Sequence, residues 1–222
     1  MKKWLHENRG FILFLVLFGI FRTAIADWNP IPSGSMRPNL LEGDVVFVNR
    51  IAYDLKLPLT DVVLARLSDP KRGDIVTFFS PADGKRLIKR LVALPGDVVE
   101  MRNKQLFING EWADYELLQV VTEPLGNGVS LSAQRVTERL DGKQRMVQWL
   151  PDMNNASNFG PLTIPSEQYL MLGDNRDNSA DSRFIGLIPR KVLIGRAERI
   201  LVSAAILENW SLRTERFGSS LY

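Results

Sequence analysis

Ser35 and Lys89 are the two residues of this sequence whose types and setting could support nucleophilic chemistry. Ser35 lies in the turn Pro32-Ser-Gly-Ser-Met-Arg-Pro38, in which two prolines fix the backbone and Gly34 permits conformations that a Cβ would forbid. A rigid bend of this kind can present the serine hydroxyl and a neighbouring amide to a ligand. The same residue types dominate ordinary turns, so the stretch indicates chemistry only beside a suitable base.

A lysine is the base that the composition leaves available to this serine. The chain has no cysteine, and its single histidine, His6, precedes the apolar segment, which excludes a Ser-His-Asp triad at Ser35 and zinc sites built on histidine or cysteine. Lysine can act as a general base when burial lowers its pKa enough to populate the neutral amine. The candidate is Lys89, which on a strand would share one face with Leu87 and Leu91. The alternative is a solvated, basic strand edge.

A polar loop, Gly173–Arg183, could support both groups. Its alternating acidic residues suggest a calcium loop, but Ser182 stands where that loop needs glycine and Ile188 where it needs glutamate, so we reject calcium and expect no metal. We predict instead a scaffold in which Ser179 hydrogen-bonds the lysine amine. In this scaffold the loop carboxylates would pair with Arg90, Arg176 or Arg183.

The elements that must position these groups are predicted to be β-strands. Short runs rich in β-branched and aromatic residues are separated by turn signals such as Pro95-Gly-Asp97 and Asn109-Gly110, without the helix–strand alternation of a parallel sheet. Residues 103–165 are richer in Asn and Gln and only weakly periodic, which indicates an inserted, variable β lobe. The predicted strands are 45–48, 74–79, 87–94, 98–101, 106–108, 169–172 and 197–206.

The only strongly apolar segment, Phe11–Phe21, follows a basic N-terminus and indicates a membrane. Arg22 interrupts it, and Ala24-Ile-Ala26 then ends it in a way that is typical of a cleavable secretory signal. Alternatively, the helix continues past Arg22, whose long side chain reaches the interface, and is retained as an anchor. A helix over residues 11–26 spans only about 24 Å, less than the ~30 Å hydrocarbon core. Both interpretations place the N-terminus inside and the remainder outside.

The overall composition excludes two broad classes of protein. Hydrophobic residues make up 45% and charged residues 24% of the 222, as in folded chains, which excludes disorder. The net charge is only +3 and no block is rich in Lys and Arg, so we expect no nucleic-acid partner.

Four stretches, in this order, resemble the bacterial type I signal peptidases, which are membrane-anchored serine proteases with a Ser-Lys dyad. Any one stretch is weak evidence, whereas four in order, with serine and lysine in their places, are specific. The resemblance covers most of residues 22–205 apart from the middle lobe. The stretches are Ile31–Pro38 with Leu40, Arg72–Phe78, Ile88–Asp97 and Gly173–Arg183, followed by Gly186 and Gly195-Arg196.

The resemblance implies a role for individual residues. Ser35 corresponds to the nucleophile and Lys89 to the general base, and the oxyanion hole would combine the Ser35 backbone N–H with the Ser33 hydroxyl. Ser179 corresponds to the hydroxyl that orients the lysine. The supporting ion pairs correspond to Asp174, Asp181, Arg90 and Arg183. The walls of the pockets that accept small residues at an A-x-A site correspond to Ile31, Pro32, Met36, Leu40, Leu87 and Ile88.

The resemblance also implies a fold and a setting. The fold is mainly β, with an antiparallel β catalytic lobe and a smaller inserted β lobe, preceded by one N-terminal transmembrane helix. The expected divisions are a cytoplasmic N-terminus 1–9, an anchor 10–26, a catalytic lobe 27–102 and 166–210, an inserted lobe 103–165 and a tail 211–222.

The implied setting is the outer face of the bacterial cytoplasmic membrane. The implied substrates are exported preproteins, met at the lipid bilayer near the export machinery by a monomer without a cofactor. Because Ser35 lies nine residues after Ala26, a retained helix would hold it at the membrane surface, which favours the anchor. Self-cleavage after Ala26 stays open.

Three other functions are weighed against this one. Self-cleaving repressor and mutagenesis proteins share the Ser-Lys chemistry and resemble this fold, but they are soluble and can carry a DNA-binding head where this chain has an apolar segment. A specialised processing peptidase, such as one that matures conjugative pilins, is not separated by these motifs. A non-catalytic β-domain that binds a partner is disfavoured, because it would have no reason to keep Ser35, Lys89 and Ser179 together.

Overall fold

A computed structural model describes residues 2–126, 129–153 and 158–222, and these residues form mainly antiparallel β structure, as predicted. Residues 127–128 and 154–157 of the predicted inserted lobe lie outside the described residues. The helices are α1 (Lys2–Glu7), α2 (Arg9–Ala24) and α3 (Ser182–Ile185). The strands are β1 (Ala26–Pro30), β2 (Asp44–Asn49), β3 (Asp54–Lys56), β4 (Val63–Arg66), β5 (Ile75–Phe79), β6 (Arg86–Ala93), β7 (Val98–Arg102), β8 (Gln105–Ile108), β9 (Glu111–Trp112), β10 (Asp114–Gly126), β11 (Val129–Leu140), β12 (Lys143–Trp149), β13 (Phe159–Thr163), β14 (Gln168–Leu172), β15 (Ile188–Pro189) and β16 (Leu193–Ser203).

A seven-stranded antiparallel sheet, in the order β1-β2-β16-β5-β6-β14-β15, carries the predicted chemistry. Its strands form where the sequence alternates: in β2, Val46 and Val48 are fully buried, while the residues between them are half-buried. In β6, by contrast, residues 89–93 are all buried, so both faces of this central strand are covered. A strand covered on both faces can bury a lysine among apolar neighbours.

The middle part of the chain forms two smaller sheets. One is four-stranded, in the order β13-β7-β8-β9, and the other is the three-stranded ribbon β10-β11-β12. The long β10–β11 pairing is regular except for shifts between Leu117 and Gln119 and between Pro124 and Gly126. Apolar side chains of this ribbon, such as Leu117 and Val120, are more than half exposed. The sequence therefore lacks the apolar–polar alternation of half-buried strands, although the strands are long.

The apolar segment forms α2, which ends earlier than the predicted anchor 10–26. The helix ends at Ala24, and Ala26 is the first residue of β1, where it pairs with Asn49 of β2. The end of the predicted anchor is therefore part of the large sheet and not of the helix. In the residues described, no helix has the length and apolarity needed to cross a bilayer. The predicted transmembrane helix is therefore not confirmed.

The end of α2 is tied to the large sheet through the buried carboxylate of Asp27. Three guanidinium groups surround it, with nitrogen–oxygen distances of 3.3 Å for Arg22, 3.7 Å for Arg50 and 3.0 Å for Arg86. The Arg50 backbone N–H also donates to the Ile25 carbonyl at 2.9 Å. Arg86 begins β6, so the same cluster reaches the strand that carries Lys89.

Candidate active site

Ser35 lies on a short 3₁₀ turn, Gly34–Met36, in the connection between β1 and β2. The connection is closed at its base, where the Ile31 N–H donates to the Asp44 carbonyl at 2.8 Å and the Gly43 N–H donates to the Ile31 carbonyl at 3.0 Å. The side chain of Met36 is fully buried and fixes the turn from below. The turn is therefore held both by these backbone hydrogen bonds and by the buried Met36 side chain. Ser35 itself is half-buried.

Lys89 extends from the middle of β6 to this serine. Its Nζ lies 2.6 Å from Ser35 Oγ and 2.9 Å from the Ile88 carbonyl oxygen, and the residue is only 3% exposed. Burial lowers the pKa of Lys89 to about 8, although the nearby carboxylates of Asp181 and Asp174 act in the opposite direction. Once the amine is neutral, the Ser35 hydroxyl can donate its proton to Nζ across the same short contact.

Ser33 presents a second hydroxyl beside the first. Ser33 is exposed, and its Oγ lies 3.5 Å from Ser35 Oγ, a distance at the outer limit of a hydrogen bond. Ser33 has extended backbone geometry immediately before the 3₁₀ turn, which directs the residue to the open side of the turn. The two hydroxyls are therefore neighbours on the accessible side of the turn.

The polar loop Gly173–Arg183 holds the serine turn by backbone contacts that the sequence did not reveal. The Asn175 N–H donates to the Ser35 carbonyl at 3.1 Å, and Asn175 Nδ2 donates to the Gly34 carbonyl at 3.0 Å. Asn175 is 2% exposed, so both bonds are shielded from water. No local sequence signal could have identified this asparagine, because its partners lie about 140 residues away.

Ser179 is buried close to the pair, but it does not make the predicted hydrogen bond to Lys89. Its Oγ has no hydrogen-bond partner among the described residues. Gly173 separates Ser179 from the serine turn, and a Cβ built on this glycine would lie 2.2 Å from Ser179 Oγ and 2.5 Å from the Ser35 carbonyl oxygen. Ser179 therefore packs against the turn through a contact that only glycine permits.

The expected ion pairs are present with one change of partner. Arg90 Nε and Nη2 each donate to Asp174 at 2.7 Å, and Arg183 pairs with Asp181 at 2.8 Å. Arg176, however, does not pair with a carboxylate of its own loop: its Nη1 donates to Glu138 of β11 at 2.5 Å. Burial by itself raises the pKa of Glu138, but Arg145 and Arg176 together hold it well below its usual value.

The predicted pocket walls divide into two groups. Ile31, Met36 and Leu40 are at most 2% exposed and belong to one apolar cluster with Val46 and Val48, so they have no surface to offer a substrate. The resemblance implied that these side chains line a pocket, whereas here they pack in the core. The accessible residues are Pro32, which is exposed, and Leu87 and Ile88, which are half-buried next to Lys89.

The middle lobe also supports the serine turn, through Arg37. Arg37 Nε donates to Glu42 at 2.8 Å, and its Nη1 pairs with Glu123 of β10, which is 2% exposed. Glu123 also accepts a 2.6 Å hydrogen bond from Arg135 of β11. The β10–β11 ribbon therefore holds Arg37, the residue two positions after the candidate nucleophile Ser35.

Within the described part of the chain, no cluster of His, Cys, Asp and Glu is arranged to bind a metal ion.

The family model described as "Signal peptidase, peptidase S26" matches residues 2–202, nearly the whole chain. The chain belongs to this signal peptidase family. Signal peptidase I of Pseudomonas fluorescens is 36% identical over 204 residues, which cover 86% of this chain and 69% of that protein. Signal peptidase I of Buchnera aphidicola from Acyrthosiphon pisum is 33% identical, over 94% of this chain and 79% of its own length. The chain is thus a serine endopeptidase of the signal peptidase I class.

One solved structure is also similar to part of this chain. A signal peptidase I from Enterococcus faecalis shares 30% identity with this chain and covers 59% of it and 97% of its own chain, with a TM-score of 0.35. With so low a TM-score, the assignment to the signal peptidases rests on the sequence matches.

Proposed function

We propose that this peptidase removes N-terminal signal peptides from exported preproteins after an A-x-A-type site, with Ser35 as nucleophile and Lys89 as general base. The observation that carries the proposal is the 2.6 Å contact between Lys89 Nζ and Ser35 Oγ at a buried lysine. A lysine in water would be protonated at neutral pH and could not accept the serine proton. Burial of Lys89 reduces that obstacle, because lowering the pKa to about 8 populates the neutral amine near neutral pH.

The proposed reaction has two halves that share the same groups. The neutral amine of Lys89 takes the Ser35 proton as Oγ attacks the scissile carbonyl carbon, and the ammonium then gives the proton to the leaving amine. The carbonyl oxygen becomes an oxyanion that accepts hydrogen bonds from the Ser35 N–H and the Ser33 hydroxyl. Water then attacks the acyl-enzyme, with Lys89 again as base, and releases the signal peptide from Ser35.

The ion pairs are assigned a positioning role. Arg90 follows Lys89 on β6 and is bound by two hydrogen bonds to Asp174, while Asp181 accepts the Gly173 N–H at 2.9 Å. These contacts fix β6 against the polar loop. We assign Pro32, Leu87 and Ile88 to the subsites for small substrate side chains, because they are the accessible apolar residues beside the pair.

We also propose that α2 attaches the enzyme to the lipid bilayer. Phe11, Phe14 and Leu17 are each more than half exposed on this helix, and an apolar surface of that extent is stable in contact with lipid or protein. Attachment there keeps the catalytic lobe on the outer face of the cytoplasmic membrane, near the export machinery. The enzyme would work there as a monomer without a cofactor.

The proposal is tested by incubating the full chain in liposomes with a preprotein that carries one A-x-A site. We expect mass spectrometry to show a single cut after the second alanine, and Ser35→Ala to abolish that cut while the protein still floats with the liposomes. Ser132→Ala, at an exposed serine of β11 in the middle lobe, is the matched control and should retain activity. A folded wild type that cuts no preprotein, or an active Ser35→Ala variant, would contradict the proposal.

The rate of cleavage is expected to depend on the protonation state of Lys89. The base must be neutral, and its pKa is lowered from 10.5 to about 8. Log kcat/KM should therefore rise with pH below about 8 and level off above it. Initial rates measured from pH 6 to 10 at constant ionic strength show both the rise and the plateau. A profile that is flat below pH 8 would show that Lys89 is not the base.

A further inference from the structure

A cavity of about 700 Å³ lies between residues 71–74 before β5, residues 143–146 of β12 and residues 219–222 near the C-terminus. Neither Ser35 nor Lys89 lines it, so it is separate from the catalytic pair. Its volume falls in the range of small-molecule sites. The proposed cleavage reaction assigns it no role.

The lining of this cavity is strongly basic. It contains one acidic residue, Asp74, whose Oδ2 is already engaged by the Tyr53 hydroxyl at 2.8 Å and the Lys71 backbone N–H at 2.9 Å. The basic residues of the lining are Lys71, Arg72, Arg90, Lys143, Arg145 and Arg216.

The positive charge of the lining is only partly compensated. In the part of the chain that the structure describes, Lys71 and Lys143 form no ion pair, and the Lys143 ammonium donates only to a backbone carbonyl at 3.0 Å. Arg145 shares its carboxylate, Glu138, with Arg176. Two ammonium groups without a carboxylate partner and one shared carboxylate leave a net positive potential at a concave surface, which concentrates anions.

One buried donor of the lining lacks a partner. The Arg145 side chain is only 10% exposed, and its Nη2 makes no hydrogen bond to any described residue. This nitrogen is itself closed off from solvent, so an anion in the cavity would reach it only after a local shift of the Arg145 side chain. The case for an anionic ligand therefore rests on the charge of the lining.

The cavity is connected directly to the residues around Lys89. Arg90, in its lining, donates to the Gly73 carbonyl at 2.8 Å and binds Asp174 through two other nitrogens. Asp174 also accepts a 2.7 Å hydrogen bond from Asn39, which lines the cavity too. A ligand in the cavity would therefore lie against the ion pair that adjoins the general base.

The position of the cavity favours a soluble ligand over a lipid headgroup. Arg216 of the lining binds Asp44, the first residue of β2, at 2.6 Å. The end of α2 meets the opposite end of that strand, where Ala26 pairs with Asn49. Five residue steps of about 3.3 Å place the cavity about 17 Å along the strand from the apolar helix.

We propose that this cavity is a regulatory binding site for a soluble, multiply charged phosphate compound, which slows cleavage by acting on Arg90 and Asp174. The added negative charge stabilises the protonated form of Lys89 and so depletes the neutral base. Phosphate oxygens suit the guanidinium and ammonium donors of the lining, and a compound with several negative charges can meet more than one of them at once. The regulatory part of this proposal rests on the proposed function of Lys89, but binding itself does not.

Inorganic pyrophosphate is the probe, and its binding to the full-length protein is measured by titration calorimetry at fixed ionic strength. We expect saturable binding with one site, which Lys71→Gln with Lys143→Gln weakens by at least about tenfold, as for the loss of two charged contacts. Lys191→Gln, at an exposed lysine outside the cavity, is the matched control and should bind like the wild type. The same titration on Ser35→Ala keeps the binding test independent of activity.

Cleavage is then measured from pH 6 to 10 with and without saturating pyrophosphate. The pH at which the rate rises should shift upward, because the added negative charge stabilises the ammonium form of Lys89, and the double variant should lose the shift. Absent binding, or binding unchanged in the double variant, would overturn the site. If the protein bound phosphatidylglycerol vesicles through these lysines but did not bind pyrophosphate, the ligand would not be a soluble compound. If pyrophosphate bound but left the pH dependence of cleavage unchanged, the site would not be regulatory.

Discussion

Lys89→Arg should reduce kcat for signal peptide cleavage by about 10²–10⁴-fold, the usual contribution of a general base. A guanidinium group stays protonated at every working pH, so the side chain keeps its charge and much of its length but cannot accept the Ser35 proton. Single-turnover cleavage of a preprotein measures the effect without interference from product release. Lys89→Ala should fail equally, because it removes the same acceptor.

Lys85→Arg is the matched control for this substitution. Lys85 lies just before β6 and pairs with Asp83 at 2.9 Å on an exposed surface, so its replacement should leave the rate unchanged. Thermal unfolding of both variants shows whether the fold is retained. Activity of a folded Lys89→Arg within about tenfold of wild type would remove lysine from the mechanism, because it falls below the usual range for a base.

Gly173→Ala should destabilise the protein by about 1–3 kcal/mol, the usual cost of overpacking, and should lower kcat as well. The new Cβ would meet Ser179 Oγ at 2.2 Å, Ser179 Cβ at 2.5 Å and the Ser35 carbonyl oxygen at 2.5 Å. Backbone atoms cannot rotate away, so either the polar loop or the serine turn must move. Thermal unfolding and cleavage rates, measured on the same preparation, record both effects.

Gly19→Ala separates this effect from the general cost of replacing glycine. A Cβ at Gly19 meets no atom within 4 Å, and alanine favours the helix, so stability and activity should hold. Adding Ser179→Gly to Gly173→Ala removes two of the three clashes and should restore part of both losses. A Gly173→Ala variant as stable and active as wild type would show that the loop and the turn are not in close contact.

Local pattern explains which parts of the fold could be predicted. Strands such as β2 and β6 are predictable because β-branched and apolar residues lie between turn signals. Lys89 is recognisable as a candidate because it is a lysine within an apolar strand. The last predicted strand, 197–206, is displaced: β16 runs from Leu193 to Ser203. Its pairing with β5 begins at Leu193 and extends the strand beyond its apolar core.

Contacts between distant segments explain what could not be predicted. Asn175 and Glu123 hold the serine turn from 141 and 86 residues away, and neither belongs to a local pattern. Met36 and Leu40 have the composition of a pocket wall, but only the packed cluster shows that they face inward. Sequence alone therefore indicated the candidate Ser-Lys pair and the ion pairs beside it, whereas the contacts of Asn175 and Glu123 became visible only in the folded chain.

The cluster of three arginines on Asp27 acts as a mechanical joint. One buried carboxylate connects the end of α2, the end of β2 and the first residue of β6, three positions before Lys89. A flexible linker in this place would let the catalytic lobe move freely on its tether. With these ion pairs in place, the end of α2 is held against the large sheet, so a tilt of the helix would also turn the strands next to it. If α2 is attached to the bilayer, as we propose, this connection would set the height of Ser35 above the membrane.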